Sequence, residues 1–217
     1  VNADPFKVVR DFESALCDYT GAPYAVTTNS CTMALLLACA YHLRDELRYI
    51  NSAVTHGTVQ RKPIEIPKRT YVSVPMSIIH AGGRPVFRKE PWAKHYQLWP
   101  LPVWDCARWF TSMMYVGMQG HMQCVSFHTT KILGDTQGGA ILHDDPVADA
   151  WLRRARFDGR TEGVTPKDDT FTQIGWHCYM SPDVAARLLH KLSVLPLHNE
   201  PMFNDDYPDL SQMEIFK

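Results

Sequence analysis

Lys131 follows the apolar run Cys124 to Phe127 and sits in a turn bounded by Gly134 and Gly138-Gly139. Asp105 ends a second short apolar run, Val103 to Asp105, and Ser30-Cys31-Thr32 joins Tyr24 to Thr28 to an Ala/Leu-rich segment. Together these are the parts that a phosphorylated pyridine aldehyde requires. The aldehyde takes a lysine amine as a Schiff base. The ring nitrogen takes a carboxylate, which keeps it protonated and makes the ring an electron sink. The phosphate takes backbone N–H groups at a helix start, helped by hydroxyl donors. Ser126, a short step before Lys131, adds a hydroxyl, and Tyr71 offers a ring to stack on the cofactor face. Taken singly, each residue has an ordinary reading: a solvated lysine, a strand-end cap, an N-cap, a core tyrosine. Their order and spacing make the joint case for pyridoxal 5'-phosphate (PLP), with Lys131 and Asp105 as the candidate catalytic residues, stronger than any one of them does.

The elements that would position them can be read from periodicity. Phe6, Val9, Phe12, Leu16 and Tyr19 recur at helical spacing, so Asp4 to Tyr19 is expected as an amphipathic helix ended by Gly21 and Pro23. Tyr24 to Thr28 is expected as a buried strand, followed by a helix from Met33 to Ile50 and a polar loop from Asn51 to Lys62. Further strands are expected at Ile64 to Pro67, Pro85 to Phe87, Val103 to Asp105, Cys124 to Phe127 and Ala140 to His143, the last pairing antiparallel or as a hairpin with its neighbour. Helices are expected within Tyr71 to His80, with Pro75 in the first turn, and at Pro146 to Phe157 and Pro182 to Leu197, the last with Ser181 as N-cap. Lys89 to Pro102 is rich in Trp and Pro and has no clear period. Gly159 to Thr172 reads as a mobile polar loop. Strands alternating with helices predict an α/β domain with a mostly parallel sheet flanked by helices. In such sheets ligands bind outside the carboxyl ends of the strands, where Ser30 to Thr32, Asp105 and Ser126 to Lys131 all fall.

Composition narrows the function class. The chain has 217 residues, a net charge of -1 and no block of like charges, which argues against nucleic-acid binding or a polybasic membrane contact. No apolar run approaches membrane-span length, and Val1 to Arg10 lacks a signal-peptide core. The six cysteines form no C-x-x-C pair and no metal-ligand pattern, so no metal site is expected. Reduced thiols in a cytoplasmic protein are the expected state.

The motif order also resembles a known family. Val125-Ser126-Phe127-His128-Thr129-Thr130-Lys131 followed by Gly138-Gly139-Ala140 resembles the S-F-H-x-x-K…G-G-A segment of the DegT/DnrJ/EryC1/StrS aminotransferases. Phe12-Glu13, Gly21 and Tyr24-Ala25-Val26 resemble the family's opening helix and strand. Ser30 to Leu35 resembles its S-G-T-x-A-L phosphate turn, Pro67 to Tyr71 its P-x-x-T-[FYW] segment and Gly82 to Phe87 its G-x-x-P-V-F strand. Asp105-Cys106-Ala107 resembles its E-D-x-A-Q segment. Gly175 to Met180 with Ala185-Ala186 resembles its G-x-N-x-R-M…A-A segment. The similarity spans roughly residues 10 to 195.

The resemblance implies an aspartate aminotransferase-like (type I) large domain over residues 1–197, an irregular tail over 198–217 and no C-terminal small domain. It implies Lys131 as Schiff-base lysine and proton shuttle, Asp105 as ring-nitrogen partner, Tyr71 as stacking ring, and Ser126 with the amides of Cys31 and Thr32 on the phosphate. It implies amino transfer from glutamate or glutamine to a keto sugar nucleotide, in a homodimer whose subunits complete each other's sites. Two departures stand out. Arg108 replaces the Gln that bonds the cofactor's phenolic oxygen, and His177 replaces the Asn that reaches the neighbouring subunit's phosphate. The strand and helix that the family carries between Phe87 and Val103 are reduced to a short link. These departures keep open a second reading, a non-catalytic PLP-binding or regulatory protein.

Overall fold

The computed structural model describes residues 4–53, 61–203 and 207–217. Four α-helices and seven strands carry the fold's layers: α1 (Lys7–Thr20), β1 (Tyr24–Thr28), α2 (Cys31–Ala53), β2 (Pro63–Pro67), α3 (Ser73–His80), β3 (Arg84–Arg88), β4 (Tyr96–Gln97), β5 (Val103–Asp105), β6 (Met122–Ser126), β7 (Gly139–His143) and α4 (Pro146–Ala155). A further helix, α5 (Pro182–Ser193), and two 3-10 turns, Leu210–Gln212 and Glu214–Phe216, complete it. The expected elements are present, with ends shifted by a few residues. Helix α2 starts at Cys31 and runs through Ala53, so the expected loop from Asn51 begins later and lies largely outside the described residues. Helix α5 has Pro182 in its first turn and stops at Ser193, short of Leu197.

The sheet is mixed rather than mostly parallel. Its order is β1-β7-β6-β5-β4, and only β5 and β6 run parallel. The physical reason lies in the connections. A parallel pair needs a crossover, usually a helix, whereas a short link returns the chain antiparallel. Phe127 to Gly138 links β6 to β7 without a helix, and Leu98 to Pro102 links β4 to β5. Strand β4 was not legible as a strand: it is two residues long, inside the Trp/Pro-rich link. A parallel pair, β2 and β3, joins the main sheet through an antiparallel bridge between Glu65 and Trp99.

Alternation along the strands splits the core between two faces. Val26, Cys124 and Ile141 face α2 and α4, and Ala25, Val125, Ala140 and Leu142 face α1 and α5. The central strands β6 and β7 are buried along their whole length, so neither sheet face reaches water there. At the edge of this core lies a buried ion cluster. The Glu13 carboxylate accepts from the Thr27 amide (2.9 Å) and hydroxyl (2.8 Å), from Arg153 (2.7 Å) and from Arg156. It thereby ties α1, β1 and the end of α4 together.

The segment after α5 is pinned to the domain. The Ser112 amide donates to Leu197 (2.9 Å), the Met202 amide to Arg108 (2.8 Å) and the Leu210 amide to Lys68 (2.8 Å). Leu210 is fully buried. The Gly159 to Thr172 loop is likewise held, by the Thr161 amide on Asp169 (2.6 Å) and by Arg10 on Glu162 (2.9 Å). None of the six cysteines is paired. No helix among the described residues is long and apolar enough to cross a membrane.

Candidate active site

One cavity of about 440 Å3 is lined by Cys31, Thr32, Tyr71, Asp105, Arg108, Ser126 and Lys131, with Ser30 and His128 beside them. It opens at the strand ends. A larger, more open hollow of about 1050 Å3 lies between α1 and residues 153–164. It contains none of the candidate residues and is walled largely by the arginine and carboxylate pairs around Glu13.

Strand β5 delivers Asp105 to the cavity floor. Its Oδ1 accepts the Ala107 amide (2.9 Å) and its Oδ2 accepts the Tyr96 hydroxyl (2.7 Å). Burial pushes the Asp105 carboxyl above the usual carboxylate range, although these two hydrogen bonds and the positive charges of Lys131 and Arg108 work the other way. A buried carboxylate held by two donors and biased towards protonation is set to gain from a cationic N–H placed against it.

Helix α2 delivers its N-terminus. Ser30 Oγ caps the Met33 amide (3.2 Å), which leaves the Cys31 and Thr32 amides ahead of the first hydrogen-bonded turn. The Thr32 hydroxyl is tied to Ser73 Oγ (2.9 Å), fixing this helix start to α3. Gly139 makes the arrangement possible: a Cβ there would stand 2.5 Å from the Cys31 nitrogen and 2.8 Å from its Cα. Gly139→Ala is therefore expected to force β7 and α2 apart at a cost of about 1–3 kcal/mol. A urea unfolding midpoint equal to that of the unsubstituted protein would contradict this reading of the contact.

Lys131 is presented by a tight turn. Its amide donates to His128 (2.8 Å), and the Asp135 amide closes the turn on Phe127 (2.9 Å). Gly134 passes so close beneath that an added Cβ would meet the Lys131 and Thr129 carbonyls at 2.8 Å. Helix α5 clamps the turn from behind, through Arg187 on Asp135 (2.8 Å) and Lys191 on the Gly134 carbonyl (2.7 Å). Ser126 Oγ makes only a long contact with the His128 amide (3.4 Å).

Arg108 lines the cavity, and two of its hydrogen bonds run to the segment beyond α5: Nε donates to the Tyr207 hydroxyl (3.0 Å) and Nη1 to the Phe203 carbonyl. His177 stands outside this cavity. Its side chain is 70% exposed, with Nδ1 2.8 Å from Asp158. Two wall residues, Trp92 and Tyr207, and the buried Tyr96 were not singled out for the site by sequence reasoning. Tyr96 supports Asp105, Trp92 stands over Tyr96 with ring centroids 4.8 Å apart, and Tyr207 follows beyond Trp92. Trp92, in the Trp/Pro-rich link, walls the cavity.

The sequence profile of the DegT/DnrJ/EryC1/StrS aminotransferase family matches residues 4–98 and 90–201. The chain belongs to this family. Within it, the chain is 26% identical to the UDP-4-amino-4,6-dideoxy-N-acetyl-beta-L-altrosamine transaminase of Campylobacter jejuni subsp. jejuni serotype O:23/36 (strain 81-176), across 84% of this chain and 55% of that protein. It thus spans about half the length of the curated relatives it matches. Solved structures share its fold. PseC of Helicobacter pylori, an aminotransferase involved in the biosynthesis of pseudoaminic acid, superposes with a TM-score of 0.64 at 18% identity, covering 88% of this chain and 58% of that one. NtdA of Bacillus subtilis, solved with bound PMP, gives 0.65 at 15% identity, covering 87% and 48%. The α/β fold, with its mixed sheet, is that of the PLP-dependent aminotransferases, as the family's motifs implied.

Proposed function

We propose that this DegT-family chain binds pyridoxal 5'-phosphate in the 440 Å3 cavity and transfers an amino group from glutamate or glutamine to a keto sugar nucleotide. The observation that carries the reading is the convergence of Lys131, the buried Asp105 and the α2 N-terminus on one cavity. The residues fit the cofactor: a buried carboxylate suits a pyridine N–H, and the Cys31 and Thr32 amides with Ser126 suit a phosphate. Bound there, PLP would supply an electron sink, and Lys131 would be the amine that holds its aldehyde. Asp105 holds the ring-nitrogen proton, with Tyr96 and the Ala107 amide fixing the carboxylate. Lys131 Nζ takes and returns the proton that moves at the amino donor's α-carbon. Tyr71 covers the ring face, and Trp92 helps keep water from it.

We further propose that residues 1–197 form the PLP-binding unit with 198–217 as its tail, and that the protein acts in the cytoplasm as a homodimer. The exposed position of His177 suits contact with a second subunit's phosphate. The orientation of Arg108 favours a second reading. Its bonds to Tyr207 and Phe203 direct it towards the tail, which suits a protein that holds PLP without completing turnover.

Titration with PLP tests both. An absorbance band near about 410–430 nm is expected, and its absence from the saturated protein would sink the cofactor assignment. Added glutamate discharges the band if amino transfer survives. A band that persists through prolonged incubation with glutamate and with glutamine selects the non-catalytic reading.

A further inference from the structure

Three segments far apart in the chain meet at one point. Trp92 lies in the link between β3 and β4, Arg108 follows β5, and Tyr207 lies beyond α5. The Tyr207 ring stacks on Trp92 at 6.2 Å with an interplanar angle of 17°. The Arg108 guanidinium lies 4.7 Å from the Tyr207 centroid, and its Nε donates to the Tyr207 hydroxyl. Tyr71 meets the same ring edge-on at 6.4 Å. The backbone is fixed on both flanks of Tyr207: upstream through Met202 on the Arg108 carbonyl, downstream through Leu210 on Lys68 and through Asp209 paired with the Lys68 amine. Arg69 also donates to the Tyr207 carbonyl (2.8 Å). Trp92 and Tyr207 thus form an aromatic wall of the cavity that Lys131 also lines, and Tyr96, buried against Trp92, joins that wall to Asp105.

We propose that Tyr207 is a specificity-determining wall residue: held by Arg108 and Trp92, it admits small carbonyl compounds to Lys131 and retards bulky ones. This also assigns Arg108 a positioning role, that of anchoring the wall. The inference deepens the proposed function, since it concerns the same cavity, but its test needs no cofactor.

The test compares two aldehydes of different size, formaldehyde and 1-naphthaldehyde, each with cyanoborohydride as reductant. Alkylation of Lys131 is read by peptide mass spectrometry, with Lys7, whose side chain is 71% exposed, as the internal reference. In the unsubstituted protein the naphthyl-to-methyl ratio at Lys131 falls well below that at Lys7. Tyr207→Ala raises the Lys131 ratio about 10-fold, equivalent to about 1.4 kcal/mol of barrier. Tyr207→Phe, which keeps the ring, leaves it within about twofold of the unsubstituted value. Arg108→Gln raises it in the same direction as Tyr207→Ala. Equal ratios at Lys131 and Lys7 in the unsubstituted protein overturn the proposal without any variant. So does an unchanged ratio in folded Tyr207→Ala or Arg108→Gln. A missing PLP band with the expected alkylation ratios would remove the cofactor reading and leave the wall standing.

Discussion

Lys131→Ala is expected to yield a folded protein that shows no band near about 410–430 nm with PLP and retains no measurable amino transfer. The lysine lies at a partly exposed cavity wall, and its turn is held by backbone bonds and by the α5 clamp, none of which uses the Lys131 side chain. Removing the amine therefore leaves the support intact while deleting the one lysine amine among the described residues that line the cavity, the group proposed to bond the aldehyde and move the proton. Loss of proton transfer alone costs about 10²–10⁴-fold in rate. Loss of the covalent attachment adds to that. The check is a PLP titration followed by absorbance, with circular dichroism to show that the fold persists. A band of unchanged intensity in a folded Lys131→Ala protein would mean that another amine holds the aldehyde.

Glu13→Gln is expected to be the most damaging single change to stability away from the cavity, at about 3–5 kcal/mol, because it leaves the two arginines around a neutral amide. Burial pushes the Glu13 carboxyl up, but Arg156 and Arg153 outweigh it and lower it to about 2 from 4.5. A carboxyl depressed in the folded state stabilises the fold above its unfolded pKa and loses that contribution as pH falls towards the folded value. The stabilisation is thus fully present above about pH 4.5 and is lost between there and about pH 2. Urea midpoints measured across that window are expected to fall more steeply for the unsubstituted protein than for Glu13→Gln. Parallel curves would show that Glu13 is not the linked group.

How far the fold and cavity were legible in the residues depended on range. Helix α1 was readable because its apolar residues recur at helical spacing, and β6 and β7 because short apolar runs are bounded by turn residues. The run from Ser126 to Lys131 and the run Ser30 to Thr32 were readable because each is a local unit: strand, turn, helix or hairpin. Strand β4 was not, because two residues in a Trp/Pro-rich link carry no period. The Glu13 cluster was not, because its arginines lie far along the chain. Tyr207 was not, since nothing near it in the chain marks a side chain that will stack on Trp92.

The sequence by itself determined the α/β class and the family and marked, His177 aside, candidate residues that line one cavity, because each rests on local periodicity, turn chemistry or the order of short motifs. Only the tertiary structure decided the strand directions, the burial of Asp105 beneath Tyr96 and the turning of Arg108 towards the tail. Those depend on which distant segments share a contact. Lys131 shares its cavity with Tyr71, Trp92 and Tyr207, drawn from three separate segments of the chain.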